Sequence, residues 1–211
     1  VTFFYQKNRP ILHNVNFHAD PGEKIAIIGK NGSGKSTLIN LLLRFYTPMD
    51  GEIFADHIPI SQYILDDYRA LYSVVSQTPY LFLGEISDNI DLSRNATEGA
   101  ICSAMEASGV TNFLQHMPDA EKTQIGRNGT KLSGGEKQKI AVARALLKDA
   151  PVIILDEATS GFDRESDLYL HDIIVNHMEN KTVIMITHHY EHLEGMDRIY
   201  KLEGGVLREV E

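Results

Sequence analysis

The stretch Gly29-Lys30-Asn31-Gly32-Ser33-Gly34-Lys35-Ser36 constrains this chain more than any other. It reads G-x-x-x-x-G-K-[ST], the pattern of a phosphate-binding loop. Lys24-Ile25-Ala26-Ile27-Ile28 before it is short, apolar and β-branched, as a buried strand is. Thr37 to Arg44 after it has the length and leucines of a helix. Strand, glycine loop, helix is the context this motif requires. Glycines let backbone N–H groups turn inward around an anion without Cβ clashes. The helix N-terminus adds unpaired N–H groups and a positive dipole end. Lys35 is placed to reach the β- and γ-phosphates of a nucleotide, and the Ser36 hydroxyl to ligate Mg²⁺. The expected nucleotide-binding set here is Gly29, Asn31, Gly32, Ser33, Gly34, Lys35, Ser36 and Thr37. A loop that merely turns the chain is the plain alternative, and the complete match in its full context argues against it.

With 211 residues the chain can form one domain with a real core, or two closely joined lobes. No apolar run approaches the roughly 18 residues that span a bilayer, and the first residues lack the charged start and apolar block of a signal peptide. A single cysteine, Cys102, excludes an internal disulfide framework and fits a reducing compartment. The net charge of -9 disfavours a nucleic-acid partner, which wants a basic face.

Short apolar strands alternate with helical segments along the chain. Strands are expected at Val1–Tyr5, Gly51–Ala55, Tyr72–Ser76, Val152–Leu155, Thr182–Ile186 and Arg198–Leu202, the last being the final long one. Helical patterns run from about Glu85 to Gln115, from Ser133 to Leu147, and from a cap at Asp163 to about Met178. The alternation predicts a parallel sheet covered on both faces. The helical middle interrupts it and reads as a lobe inserted into an α/β core.

Two further motifs accompany the loop. Val152-Ile153-Ile154-Leu155-Asp156-Glu157 is a buried strand ending in two carboxylates. Asp156 can hold Mg²⁺ through its water shell. Glu157 stands where a base or water-positioning group beside a γ-phosphate belongs. An acidic turn after a core strand is the alternative, and the phosphate loop weakens it. Leu132-Ser133-Gly134-Gly135-Glu136 opens the second helix, where Ser-x-x-Glu is also a capping box.

With Lys137-Gln138-Lys139 and Ala141 to Leu146 following, this block resembles the signature motif of ABC transporters. Motif order and spacing agree over nearly the whole chain, so the chain resembles an ABC nucleotide-binding domain. The resemblance implies a P-loop NTPase (RecA-like) α/β core at about 1–84 and 149–211, with an α-helical subdomain at about 85–148, together one domain over 1–211. Gln77 matches the family's Q-loop glutamine, a Mg²⁺ ligand and link to the membrane domain. Tyr5 matches the aromatic that stacks on adenine. His188 matches the switch histidine at the γ-phosphate, and Ser160-Gly161-Phe162-Asp163 fills the D-loop. Asp197-Arg198-Ile199, nine residues after His188, fixes that register over His189. Taken singly, Gln77 reads as a surface residue and Tyr5 as a core aromatic. His188 and His192 are four apart, but no H-E-x-x-H pattern supports a metal site.

The resemblance implies an ATPase with catalytic Glu157, His188 and Lys35, using ATP and Mg²⁺. Ser36, Gln77 and Asp156 are then the metal residues, and Tyr5, Gln77, Ser133, Gly134 and Gly135 join the phosphate loop in nucleotide binding. It also implies a homodimer or heterodimer closing head to tail around two ATP, transmembrane domains as partners, the cytoplasmic face of a membrane, and no nucleic acid. Gln77-Thr78-Pro79-Tyr80-Leu81-Phe82, and Gly84 to Ile90 after it, look like exporter-type cassettes. The segment Thr123 to Gly129 departs from that type, with Gln124 and Arg127 where glutamates are usual, and Glu136 replaces a common glutamine. The chain reads as a fragment of a membrane protein or a subunit that docks on one. A soluble ABC ATPase acting on nucleic acid or the ribosome shares every ATP motif. It generally carries a long coiled coil or a second cassette, which 211 residues do not hold. A catalytically weak regulatory cassette conflicts with the intact Glu157 and His188.

Overall fold

The computed structural model describes residues 1–6, 9–93, 95–117, 119–126, 132–158, 172–173, 178, 180–188 and 193–210. In chain order its elements are β1 (Lys24–Ile28), α1 (Lys35–Leu42), β2 (Phe54–Ala55), β3 (Ile58–Pro59), α2 (Leu65–Ala70), β4 (Tyr72–Val75), β5 (Gly84–Glu85) and α3 (Ile86–Ile90). They continue with α4 (Glu98–Ala107), α5 (Val110–Leu114), β6 (Gln124–Ile125), α6 (Gly134–Lys148), β7 (Val152–Asp156), β8 (Thr182–Thr187), β9 (Arg198–Glu203) and β10 (Val206–Val210). Most of the helix expected from Asp163, the D-loop residues Ser160 to Asp163, Arg127, Asn128, Gly129, His189 and His192 lie outside the described residues. The chain divides into two compact units. One comprises Val1–Tyr72, Pro151–Asp156 and Asn180–Glu211, the other Ser73–Ala150 and Glu157–Glu179.

In the first unit the strands lie in the order β10-β9-β1-β8-β7. β1, β8 and β7 are near-continuous runs of Ile, Val, Leu and Met, which suits a parallel sheet buried on both faces. They pair in parallel, with Ile25↔Ile184, Ile27↔Ile186 and Ile154↔Ile184 in register. Leu38 and Leu41 of α1 pack into the core that holds these isoleucines. Each such side chain contributes about 1.5–3 kcal/mol on burial. Because the strands run parallel, their carboxyl ends share one edge of the sheet, and the segments after β1, β8 and β7 emerge together there.

Two expectations for this unit change. Val1–Tyr5 is not a strand but a set of isolated bridges, Thr2↔Asp50 and Phe3↔Leu12 among them. The Phe3 carbonyl accepts from both Ile11 N–H (2.9 Å) and Leu12 N–H (3.1 Å), so two residues face one and no ladder propagates. Arg198–Glu203 is also not the last strand, because β10 pairs antiparallel with it and makes the sheet mixed. Gly204 and Gly205 join the two with φ of 58° and 77°, the two-residue turn with positive φ that suits a twisted hairpin.

The second unit is mostly helical. Its core gathers Leu81 from the loop before β5 with Ile86, Ile90, Met105, Val110, Leu114, Ile140 and Ala143 from α3 to α6. The helical pattern of Glu85–Gln115 is broken into three short helices. The Asp91 carboxylate accepts from Ser93 O–H (2.7 Å) and Ala96 N–H (2.9 Å), offering the backbone a loop in place of a helix turn. The Thr97 hydroxyl then caps α4 by accepting from Ala100 N–H at 3.3 Å. Gly109, at φ 69°, separates α4 from α5.

Candidate functional site

The phosphate-binding motif folds as its residue types require. Gly29 follows β1, and a Cβ there would lie 2.5 Å from the Leu202 carbonyl oxygen and 2.7 Å from Ser33 Oγ. Gly32 and Gly34 hold φ of 78° and 109°, a region other residues rarely adopt. Gly34 is also the N-cap of α1, so the loop passes straight into a helix whose first N–H groups have no intrahelical partner. Lys35 is only 5% exposed, and its ammonium lies across the loop, donating to the carbonyls of Gly29 (2.7 Å) and Lys30 (3.1 Å). A cation held above inward-turned backbone is the arrangement a polyphosphate would enter. Asn31, Gly32 and Ser36 are exposed, while Thr37 is buried.

The same sheet edge carries two more expected residues. Asp156 ends β7 opposite Ile186, and His188 follows β8, whose Thr187 stands opposite Ile28 at the end of β1. His188 is exposed and Asp156 half-buried. Ligands of open α/β sheets bind outside the carboxyl ends of the strands, which is where the loop, Asp156 and His188 converge. Tyr5 is 47% exposed, against its reading as a core aromatic, and its hydroxyl is 3.3 Å from Thr37 Oγ1.

Glu157, the first residue of the second unit's later segment, has φ 47°. A carboxylate residue in the left-handed region costs roughly 1–3 kcal/mol and is concentrated at functional positions. Its Oε2 accepts from Gln77 Nε2 at 2.9 Å, which joins two of the expected site residues directly.

Ser133 caps α6 in a full capping box. Its Oγ accepts from Glu136 N–H (3.3 Å), and Glu136 Oε2 accepts from Ser133 N–H (2.7 Å). The same Oε2 also accepts the Ser133 hydroxyl proton at 2.8 Å. The Ser133 hydroxyl is therefore engaged within the chain. Gly134 and Gly135 follow as the first helical residues. A Cβ on Gly134 would meet nothing within 4 Å, so the chain's own packing does not require glycine there.

Two residues gain roles that spacing did not disclose. Gln138, 2% exposed, donates from Nε2 to the carbonyls of Ser76 (3.0 Å) and Gln77 (2.8 Å), tying α6 to the loop that carries Gln77. Arg144 donates to the Tyr80 carbonyl (2.7 Å), to Asn89 Oδ1 (3.0 Å) and to the Asn89 carbonyl. Burial pushes the Arg144 guanidinium down to about 10. The signal available in sequence was the polar character of two positions inside an otherwise apolar helix stripe.

The oxygen donors fit a hard divalent cation. Ser36 offers a hydroxyl and Asp156 a carboxylate, and hard cations prefer such ligands. Among the described residues no group of three or more His, Cys, Asp and Glu is arranged to hold a metal. No helix among the described residues is long and apolar enough to cross a membrane.

A sequence model of the family described as "ABC transporter" matches residues 12–160. The chain is 41% identical over 210 residues to an ATP-dependent lipid A-core flippase of Burkholderia orbicola (strain AU 1054), covering 99% of this chain and 35% of that protein. It is 42% identical over 212 residues to a protein of the same name from Idiomarina loihiensis (strain ATCC BAA-735 / DSM 15497 / L2-TR), covering 99% and 36%. The chain thus spans about a third of the length of these curated relatives. A solved structure, of a bacterial Atm1-family ABC exporter with ATP bound, superposes with a TM-score of 0.94 at 34% identity, covering 99% of this chain and 37% of that one. The reading as a soluble ATPase on nucleic acid or the ribosome finds no support among these relatives. With a phosphate loop at the sheet edge, an acidic strand end, a capped helix at the expected signature and these likenesses, the chain belongs to the ABC transporter family.

Proposed function

We propose that this chain couples Mg·ATP hydrolysis to transport by membrane domains, closing head to tail with a second ATPase domain around two nucleotides at the cytoplasmic face of a membrane. The observation that carries the reading is the Lys35 ammonium held across the Gly29–Gly34 loop, at the sheet edge that also bears Asp156 and His188. On binding, Lys35 exchanges carbonyl oxygens for phosphate oxygens, and the loop N–H groups and α1 N-terminus take the rest of the charge. Tyr5 stacks on adenine. Ser36 and Asp156 would hold Mg²⁺, which would supply neutralisation of phosphate charge. Glu157 orients the attacking water and takes its proton, with its carboxylate steadied by Gln77. His188 holds the γ-phosphate.

Ser133, Gly134 and Gly135 serve the nucleotide of the opposite subunit, through the helix N-terminus and the Ser133 hydroxyl. The unobstructed space at Gly134 supports this part of the reading, because nothing in the chain itself requires it. Exposed Tyr80, Phe82 and Leu83 form the surface a membrane domain would cover. The core over about 1–84 and 149–211, with a helical subdomain at about 85–148, is proposed on the same likeness.

The test is steady-state ATPase activity and Mg·ATP binding by this chain against Lys35→Ala. The variant should lose at least about a hundredfold in kcat/KM, given that a charge-assisted contact stabilising transferred phosphate is worth about 3–4 kcal/mol. Equal activity in both proteins would remove the loop from the mechanism.

A further inference from the structure

We propose that Tyr46 is a positioning residue for the ring of Tyr5, and that its aromatic ring, rather than its hydroxyl, sets how tightly the nucleotide base is held. This deepens the proposed role of Tyr5 as the base platform and rests on it. The ring of Tyr5 meets Tyr46 edge to face, with centroids 5.1 Å apart and planes at 83°. Phe3, 2% exposed, closes a second side at 5.0 Å and 90°. Phe3 and Tyr46 also touch each other at 5.5 Å, so the three rings form one cluster. T-shaped pairs of this geometry are attractive beyond their burial.

The placement of Tyr46 is a consequence of how α1 ends. Arg44 takes φ 54°, and Phe45 N–H returns to the Asn40 carbonyl at 2.8 Å, which turns the chain back after the helix. Tyr46 therefore reaches the ring of Tyr5, while Thr37 in the first turn of the same helix meets the Tyr5 hydroxyl at 3.3 Å. One segment, 37–46, grips Tyr5 at both its tip and its ring. The remaining side of Tyr5 opens on a cleft of about 570 Å³ with Gln6, Arg9, Pro10, Ile11 and His13, which Tyr46 does not line. Tyr46 thus acts on a base through Tyr5. A side chain with two torsions, fixed in advance, loses little freedom when the base stacks, and removing the fixing contact moves that ordering into the binding step.

The experiment compares binding of Mg·ATP and of inorganic tripolyphosphate with Mg²⁺, by calorimetry, for the wild-type chain, Tyr46→Ala, Tyr46→Phe and Tyr5→Ala. Tripolyphosphate has no base, so it reports the phosphate loop and the integrity of the fold. Tyr46→Ala should weaken ATP by about three- to tenfold and leave tripolyphosphate within about 1.5-fold. Tyr46→Phe, which keeps the ring and drops the hydroxyl, should bind both ligands as wild type does. The proposal is overturned if Tyr46→Ala leaves ATP unchanged, weakens both ligands alike, or is not rescued by Tyr46→Phe. Weakened ATP binding in Tyr5→Ala alone would sink the role of Tyr46 and keep that of Tyr5. A neutral Tyr5→Ala, or a wild-type chain that does not bind ATP, would remove the platform and this inference together.

Discussion

Replacing Glu136 with glutamine tests the proposed head-to-tail dimer at its least conventional position. In the structure Glu136 Oε2 accepts the Ser133 N–H at 2.7 Å and the Ser133 O–H at 2.8 Å. For Ser133 to donate to a phosphate on a facing subunit, the second of these bonds must break. A hydrogen bond to a charged group is worth about 1.5–3 kcal/mol and a neutral one about 0.5–1.5. Ser133 is exposed, which argues for the low end, so the glutamine variant saves about 1 kcal/mol per site. Two sites close together, giving about 2 kcal/mol, or roughly thirtyfold in the dimer association constant. The carboxylate also repels an incoming triphosphate, a contribution of the same sign that salt screens. Glutamine keeps an amide oxygen for the Ser133 N–H, so the cap survives, with a loss of about 0.3–1 kcal/mol from the helix-dipole interaction. Sedimentation equilibrium with Mg·ATP, in a Glu157→Gln background that holds the dimer, measures the change directly. The gain should shrink between low and high salt. A weaker or unchanged dimer would show that the Glu136 charge does not oppose closure, and a gain indifferent to salt would remove the repulsion and leave only the hydrogen-bond exchange.

Glu157→Gln alone should keep ATP affinity and lose most turnover, because only the transition state uses the activated water; size-exclusion chromatography with Mg·ATP should then show an accumulated dimer. Gly134→Ala should fold with unchanged or higher thermal stability, by up to about 1 kcal/mol, since a Cβ there meets nothing and glycine weakens helices, yet it should lower ATP-driven dimerisation at least about tenfold. Tyr68 and Tyr72 should make the chain sensitive to alkali. Burial first, then their mutual 2.9 Å hydrogen bond, raises Tyr68, and burial raises Tyr72. The folded state therefore keeps its phenolic protons where the unfolded state, with values of about 10, loses them. This stability is complete below about pH 10 and falls above it. Denaturant melts should show the fall, and Tyr68→Phe should flatten it while costing about 1–3 kcal/mol at neutral pH from the orphaned Leu42 carbonyl, which now accepts from Tyr68 at 2.5 Å.

The parts of the fold that sequence disclosed are those where one local pattern decides the outcome. The β-branched runs of β1, β7 and β8 have few alternatives to a buried parallel sheet, and the loop after β1 demands its glycines. The first residues and the segment Glu85–Gln115 misled for the opposite reason. There a single tertiary choice, the doubly used Phe3 carbonyl or the Asp91 loop, overrode a plausible local pattern. The final hairpin was missed although Gly204-Gly205 carried its signal, since adjacent glycines between apolar runs mark such turns. In the site, residues whose chemistry is carried by their own type and position were legible: Lys35 in its loop, Asp156 at a strand end, Ser133 and Glu136 at a helix start. Gln138, Arg144 and Tyr46 were not, because each acts on a partner far along the chain.

The polar bonds of α6 tie the start, middle and end of this helix into the second unit. The helix is about 22 Å long at 15 residues. Ser133 sits at its start, Gln138 one turn further on holds the carbonyls of Ser76 and Gln77, and Arg144 near its end holds the Tyr80 carbonyl and Asn89. Nearly all of these bonds are donated to backbone, so they fix the path of residues 76–90 whatever side chains that path displays. The exposed Tyr80, Phe82 and Leu83 are then free to be shaped for a partner without loosening the connection. Gln77 closes the same circuit from the other direction. Its carbonyl is held by Gln138 at 2.8 Å while its amide donates to Glu157 at 2.9 Å, so two hydrogen bonds link α6 to the proposed catalytic carboxylate.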